Sequence, residues 1–409
     1  MSKITKYALS DLYDMSSGLS SKKEQAGHGA PFVSFGTVFN NYFLPEELPD
    51  LMDTNEKEQQ TYSIKAGDVL ITRTSETIDE LAMSCVAVKD YPKATYSGFT
   101  KRLRPKREGI AYPKYMAFYF RSALFRKAVT YNAFMTLRAS FNEDIFTFLD
   151  VYLPDYDEQV RIGDMLYNIE CKIRKNKEIN DYLEEMAKTI YNYWFIQFDF
   201  PDENGKPYKS SGGKMSFCNE LNREIPQNWN YTSIGNITIC LDSERIPLSN
   251  QQREGMKGSI PYYGATGIMD YVNRPIFSGN FVLLAEDGSV MDDNGNPILQ
   301  RVSGDVWINN HTHVLQPVKG YSCRLLYLLL KDIPVSIIKT GSIQMKINQA
   351  NLNNYNILSI PDAIRTQFIN CVEPLDTKIM QIQQENNNLI QFRDWLLPML
   401  MNGQATIEN

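Results

Sequence analysis

The sequence predicts a mixed α/β protein built as an internal repeat: two similar globular halves, each followed by a long helix. Two observations carry this. The first is heptad spacing. Apolar side chains recur at Ile162, Leu166, Ile169, Ile173, Leu183, Ala187, Ile190 and Trp194, and again at Phe368, Val372, Leu375, Ile379, Ile382, Leu389, Leu396 and Leu400. Their steps of three and four are those of a coiled-coil seam. The second is self-similarity. Ile169-Glu170-Cys171-Lys172-Ile173 aligns with Leu375-Asp376-Thr377-Lys378-Ile379, and the same offset carries Asn180 onto Asn386. A polar Asn on such a seam weakens a coiled coil but fixes its register. Leu166, Ile173, Asn180, Ile379 and Asn386 are therefore the candidate seam residues.

The elements follow in chain order, with expected boundaries at 1–154 (first globular half), 155–200 (central long helix), 201–361 (linker and second half) and 362–409 (second long helix). In the first half, Ala30 to Phe35 reads as a strand entering a turn at Gly36. Ala66-Gly67-Asp68 is a turn signal before a buried strand, Val69 to Thr72, and Cys85 to Val88 is another strand. Tyr112-Pro113 opens a helix to about Val129, with proline suited to the first turn. Tyr131 to Ser140 is a loop, and Val151-Tyr152-Leu153 is a closing strand stopped by Pro154. Breaker-rich segments at 201–207 and 210–213 form the linker. In the second half, Ile260 to Gly264 and Phe281 to Ala285 are strands, the latter parallel in pattern to Val69–Thr72. Leu325 to Ile338 is helical with a break near Pro334. Thr340 to Ile347 fills the slot of Thr136 to Ser140, with Arg138 and Lys346 as equivalents, and Gln367 answers Gln159.

A chain of 409 residues accommodates two ordinary domains plus connecting helices. Six scattered cysteines without a C-x-x-C pair favour buried thiols in a reducing cytoplasm over disulfides or zinc. Met1 leads into Ser2 to Lys6 with no apolar core of a signal peptide, and no apolar run reaches the length of a membrane span. The net charge of −6 is not that of a typical nucleic-acid binder, but the segment from Lys89 to Arg138 is rich in Lys and Arg and carries few acids, chiefly Asp90 and Glu108. That excess suggests a basic patch for a phosphate backbone.

Catalytic signals are missing. The sequence has no phosphate-binding loop and no G-x-G-x-x-G after a strand. His311-Thr312-His313 lacks neighbouring Cys or paired carboxylates and reads as a polar loop or strand, not as a metal site. Asp292 to Asn296 lacks the order of a calcium loop and reads as a hairpin turn. A recognition protein without cofactor is the expectation.

Several stretches carry a resemblance: Pro31-Phe32-Val33-Ser34, Ala66-Gly67-Asp68-Val69-Leu70, Pro154 with Gln159 and Ile162, Ile225-Pro226 with Trp229, Tyr262 to Gly267, Ile308 to Leu315, and Gly341-Ser342 with Gln344. Each is weak alone, but their order along the whole chain resembles the specificity subunit of type I restriction–modification enzymes. The resemblance implies two target recognition domains, each reading one part of a split double-stranded DNA sequence. It implies antiparallel helices that separate the domains and dock two methyltransferase subunits, with a motor–nuclease subunit as a further partner. Adenine N6 methylation would then be the partner's chemistry, in keeping with the lack here of an N-P-P-[YF] motif. The first half departs from the pattern, having no glycine from Ala133 to Ala139 to answer Gly341-Ser342.

For such a reader, phosphate contacts are expected from Lys101, Arg102, Arg104 and Lys346, and base contacts from Arg73, Arg138, Gln344, Asn309 and Asn310, since Arg suits guanine and Asn or Gln suits adenine. Two other classes compete: a coiled-coil scaffold that binds no DNA, and a methyltransferase or nuclease with an unrecognised site.

Overall fold

A computed structural model describes residues 4–75, 80–132, 139–341 and 345–407. The chain divides into two compact units, Met1–Asn176 with Glu385–Asn409, and Lys177–Gln384. Each unit thus owns part of both long helices, where the sequence suggested boundaries at the helix ends. The reason is packing. Ile162, Leu166, Leu397, Leu400 and Met401 join the core of the first unit, whereas Tyr191, Trp194, Phe368 and Val372 join that of the second.

The first unit is built on a four-stranded antiparallel sheet in the order Tyr13–Ser17, Thr100–Pro105, Val69–Thr72, Ser84–Val86. Val69, Leu70 and Ile71 are fully buried, as expected of a continuous apolar run covered on both faces. A three-stranded sheet, Asp50–Met52, Ala26–Val33, Thr95–Tyr96, lies beside it in sequence order. The helix opened by Pro113 ends at Tyr119, and a second one runs Ala123–Asn132. At the junction, the Ser122 hydroxyl donates to the Tyr119 carbonyl and accepts from the Phe125 N–H, so a side chain takes over backbone partners there.

The second unit repeats the plan with the two sheets fused into one of six strands: Thr238–Cys240, Thr312–Pro317, Phe277–Ala285, Leu299–Ile308, Lys257–Gly264, Gly267–Val272. The helical stretch breaks at Pro334 into Cys323–Lys331 and Val335–Ile338, as the proline requires. Asp292 forms a turn by accepting from the backbone N–H groups of Asn294 and Asn296, which accounts for that acidic cluster without a metal.

The long helices span Tyr156–Tyr191, continued by one π-helical turn, and Asp362–Met401. They run antiparallel within each unit. In the first, Glu170 pairs with Arg393, and the Nδ2 of Asn386 donates to the Ile173 carbonyl at 3.3 Å. In the second, the Nδ2 of Asn180 donates to the Ile379 carbonyl at 3.4 Å. Asn180 and Asn386 therefore make the same contact in exchanged positions, as their shared register predicts. The repeat is broken by Asn176, which is buried and donates to Asn386 Oδ1 at 2.8 Å. Its counterpart at the same offset is Ile382, and the Oδ1 of Asn180 is left buried without a partner.

Each long helix is anchored at its start. Gln159 donates to the carbonyls of Pro154 and Ile110, both at 2.9 Å, and accepts from the Tyr112 N–H. Arg365 donates to the carbonyls of Ile360 and Gly320, both at 3.2 Å. The counterpart of Gln159 is thus Arg365, five residues after its carbonyl partner in both cases, and not the exposed Gln367.

Candidate nucleic-acid interface

Strand register brings the two units into correspondence. Thr72 faces Thr100 in the first, and Ala285 faces Thr312 in the second. On this alignment Arg73 corresponds to Glu286, Lys101 to His313, Ser97 to Asn309, and Phe99 to His311. Four hydrogen bonds repeat. The Arg73 N–H donates to the Phe99 carbonyl at 2.8 Å, and the Glu286 N–H to the His311 carbonyl at 2.9 Å. The Ser97 N–H donates to Val33, and the Asn309 N–H to Tyr263, both at 3.0 Å. Phe141 donates to the Arg73 carbonyl at 2.7 Å, and Ile347 to that of Glu286 at 2.8 Å. Finally, the Phe99 N–H donates to Ser97 Oγ at 3.2 Å, and the His311 N–H to Asn309 Oδ1 at 2.9 Å. Each unit thus ends its sheet in the same side-chain-stabilised turn.

The side chains around this turn differ in charge. In the first unit Arg73 is exposed and has no ion-pair partner among the described residues. Lys101 donates to Ser17 Oγ at 2.9 Å; burial and the neighbouring Arg73 guanidinium hold its pKa below the usual lysine range. In the second unit the same ground is an ion cluster. His313 is buried, with Nδ1 at 2.5 Å from Asp242 Oδ2 and Nε2 at 3.0 Å from the Ile347 carbonyl. Glu286 accepts from Arg245 at 2.7 Å and pairs with Lys346 at 2.9 Å. Burial alone pushes the imidazole down, but the hydrogen bond and charge of Asp242 and the Ile347 carbonyl outweigh it, so the His313 pKa is raised. Burial likewise works against the carboxylates, yet His313 holds Asp242 low, and Lys346 and Arg245 hold Glu286 low.

Cys240, Asp242 and His313 come close enough to suggest a metal centre. The donor set does not fit one. Both imidazole nitrogens of His313 face acceptors within the fold, Asp242 Oδ2 and the Ile347 carbonyl, and burial pushes the Cys240 thiol up to about 12.

The predicted contact residues separate into three groups. Arg73, Lys101 and Asn310 lie at or beside the turns, with Arg73 and Asn310 exposed and Lys101 part-buried. Lys346 is also exposed, but its charge is shared with Glu286. The fold itself occupies Arg102, Arg104 and Asn309. Arg102 is 9% exposed, donates to the Ser63 carbonyl and stacks over Tyr96. Arg104 forms a two-pronged pair with the buried Asp68, at 2.8 and 2.6 Å. Asn309 is 3% exposed and builds the turn. Arg138 and Gln344 lie outside the described residues, as does Ser342. The supposed equivalence of Arg138 with Lys346 shifts as well, since Phe141 and Ile347 make the matching backbone bond, which sets Ser140 against Lys346.

The basic excess between Lys89 and Arg138 is largely spent inside the fold. Arg121 donates to the carbonyls of Ser84, Val38, Phe39 and Asn41, Arg126 to that of Leu81, and Lys114 pairs with Asp164 at 2.7 Å. What sequence reasoning missed is the pair of turn tips, Phe99 and His311. The signal was present in Tyr96-Ser97-Gly98-Phe99-Thr100 set against Ile308-Asn309-Asn310-His311-Thr312, an apolar residue, a turn former and a threonine at matching places.

Comparison with known proteins gives concordant matches. The model described as "Type I restriction modification DNA specificity domain" matches residues 1–185 and again 226–391. The type I restriction enzyme MjaIX specificity subunit of Methanocaldococcus jannaschii is 25% identical, over 94% of this chain and 89% of its own. The putative type I restriction enzyme specificity subunit S.HindORF215P of Haemophilus influenzae is 32% identical over 34% of this chain and 35% of its own. In fold, the type I restriction–modification S subunit from M. genitalium is similar at a TM-score of 0.56 and 14% identity, covering 98% of this chain and 96% of that one.

Proposed function

The chain belongs to the family of type I restriction–modification DNA specificity subunits, and on that premise we propose that each of its units reads one part of a two-part DNA sequence at the sheet end described above. The chain is the non-catalytic recognition component; DNA and the other subunits of the restriction–modification complex are its partners. The observation that carries the reading is the repeated turn, since two units of one design present different side chains on the same backbone frame. That is what a reader of two different half-sites needs. Arg73 is the base-contact candidate of the first unit, Lys101 a phosphate contact beside it, and Asn310 with Lys346 the corresponding groups of the second.

Among the described residues, few cations at the turns lack an internal partner. A binder that neutralises few phosphates gains little from counterion release. The chain therefore holds DNA weakly alone and borrows phosphate contacts from two methyltransferase subunits, which dock on the long helices. A motor–nuclease subunit joins that assembly where cleavage occurs.

The test is a selection of bound duplexes from a randomised pool, with the chain alone and with its methyltransferase. The expected result is a split motif, strong only with the partner present. Replacing residues 1–154 by the matching half of a relative should change one half of the motif and leave the other. A motif that changes in both halves, or no motif in the complex, refutes the reading. A complex that assembles but shows no salt-sensitive DNA binding would favour the scaffold alternative.

A further inference from the structure

We propose that the tips of the two matched turns, Phe99 in the first unit and His311 in the second, are specificity-determining contacts to DNA base edges; the inference rests on the reading that each unit reads one half-site. Among the described residues the Phe99 ring has no ring or cation contact, and the His311 ring pairs with Asp287. Phe99 is 66% exposed, although apolar rings of this size normally find cover. Its backbone is fixed on both sides, by Ser97 Oγ at its N–H and by the Arg73 N–H at its carbonyl. The ring is therefore held out by design of the turn, not left loose at a chain end.

The surroundings say what would cover it. Arg73 bonds directly to Phe99 through the backbone, and Lys101 lies two residues on, its pKa lowered by burial and by the Arg73 charge. An apolar group beside two cations suits a polyanion that also offers apolar patches. Duplex DNA does so in the major groove, where the thymine methyl group is an apolar target for Phe and phosphates flank it. Such a contact discriminates one base pair.

His311 occupies the same frame with polar chemistry. Its ring is half exposed, and Nδ1 sits 2.6 Å from Asp287 Oδ1. That bond fixes the ring and leaves Nε2 without a hydrogen-bond partner among the described residues, available for one directional hydrogen bond. The first unit is thus assigned an apolar readout at this position and the second a hydrogen-bonding one. Ser97 and Asn309, which build the turns, position these residues without touching DNA.

The experiment uses the full chain assembled with its methyltransferase. Bound sites are selected from a randomised duplex pool for the wild type and for Phe99→Ala, Phe99→Leu, His311→Ala and, as a control at another exposed phenylalanine, Phe148→Ala. Phe99→Ala should relax one base position in one half-site by roughly 5- to 100-fold, the usual range for one base pair, with Phe99→Leu intermediate. His311→Ala should relax one position in the other half-site, and Phe148→Ala none. Unchanged base preferences in both tip variants, beside a split wild-type motif, overturn this inference and leave the recognition reading standing. A wild-type complex with no sequence preference overturns both. Weaker assembly with the methyltransferase at unchanged base preference makes the tips a protein contact and also overturns the inference.

Discussion

Removing Asn176 tests whether the helix seam of the first unit depends on one hydrogen-bonded pair. Asn176 is buried and donates from Nδ2 to Asn386 Oδ1 and to Glu385 Oε2, both at 2.8 Å. Alanine at 176 strands the Asn386 oxygen, and an unsatisfied buried acceptor costs about 1–3 kcal/mol. Glu385 is exposed and regains water, so it adds little. Asn386→Ala should cost a similar amount, because an Asn176 N–H then loses its buried acceptor. The two losses are not independent, and the double variant should fall short of their sum by about 0.5–3 kcal/mol. Leucine at both positions removes every polar atom of the pair and should lie within about 1 kcal/mol of the wild type, or above it, since replacing both partners by apolar groups is often neutral. The assay is urea unfolding of the full chain, reading midpoints at unchanged slope. Strict additivity of the two alanine variants, or an Asn176→Ala chain as stable as the wild type, refutes the argument.

Three further outcomes follow from the geometry. Arg73→Ala should weaken binding of the cognate site by about 1–3 kcal/mol and relax the first half-site alone, with unfolding unchanged; Arg102→Ala should do the reverse, lowering stability by about 1–3 kcal/mol through the lost Ser63 contact. Equal weakening on all sequences would make Arg73 a phosphate contact. The raised pKa of His313 means that its bond to Asp242 stabilises the second unit fully below the unfolded-state value of about 6.5 and is lost as pH rises through the folded-state pKa. Asp242 and Glu286, held low, act in the opposite sense, losing their contribution as pH falls through their own folded-state values; Arg245, Lys346 and the protonated Cys240 complete the cluster. His313→Gln should abolish that loss in a pH series of unfolding midpoints. Lastly, Ile382→Asn offers a donor to the orphaned Asn180 oxygen and should be tolerated better than Ile379→Asn by about 1–3 kcal/mol in the same unfolding assay.

The helices were legible because heptad spacing and the Asn180–Asn386 register depend only on local sequence. None of the expected seam residues is exposed, and Ile379 and Leu166 are fully buried. Asn176 was not legible. It stands among Arg174, Lys175 and Lys177, which reads as a solvated face, and only the approach of Asn386 makes it interior. The internal partners of Arg102 and Arg104 were hidden for a related reason. A count of charges along a segment does not reveal that the Ser63 carbonyl and Asp68 arrive from another part of the chain to take them up. Asn309 illustrates the ambiguity of a short amide, which suits adenine and a tight turn equally well. Its pairing with Ser97 across the repeat decides for the turn.

The turn frame has an evolutionary corollary. Its geometry is held by main-chain groups and by one short side chain, Ser97 or Asn309, while the residue two places on contributes only its N–H and carbonyl. Stability and readout are consequently encoded at different positions. Substitution at 99 or 311 can proceed with little penalty in folding, whatever it does to recognition, so a lineage can exchange one preference for another in single steps. Two copies of the frame in one chain can also drift apart independently, as phenylalanine beside arginine in one and histidine beside glutamate in the other already attest.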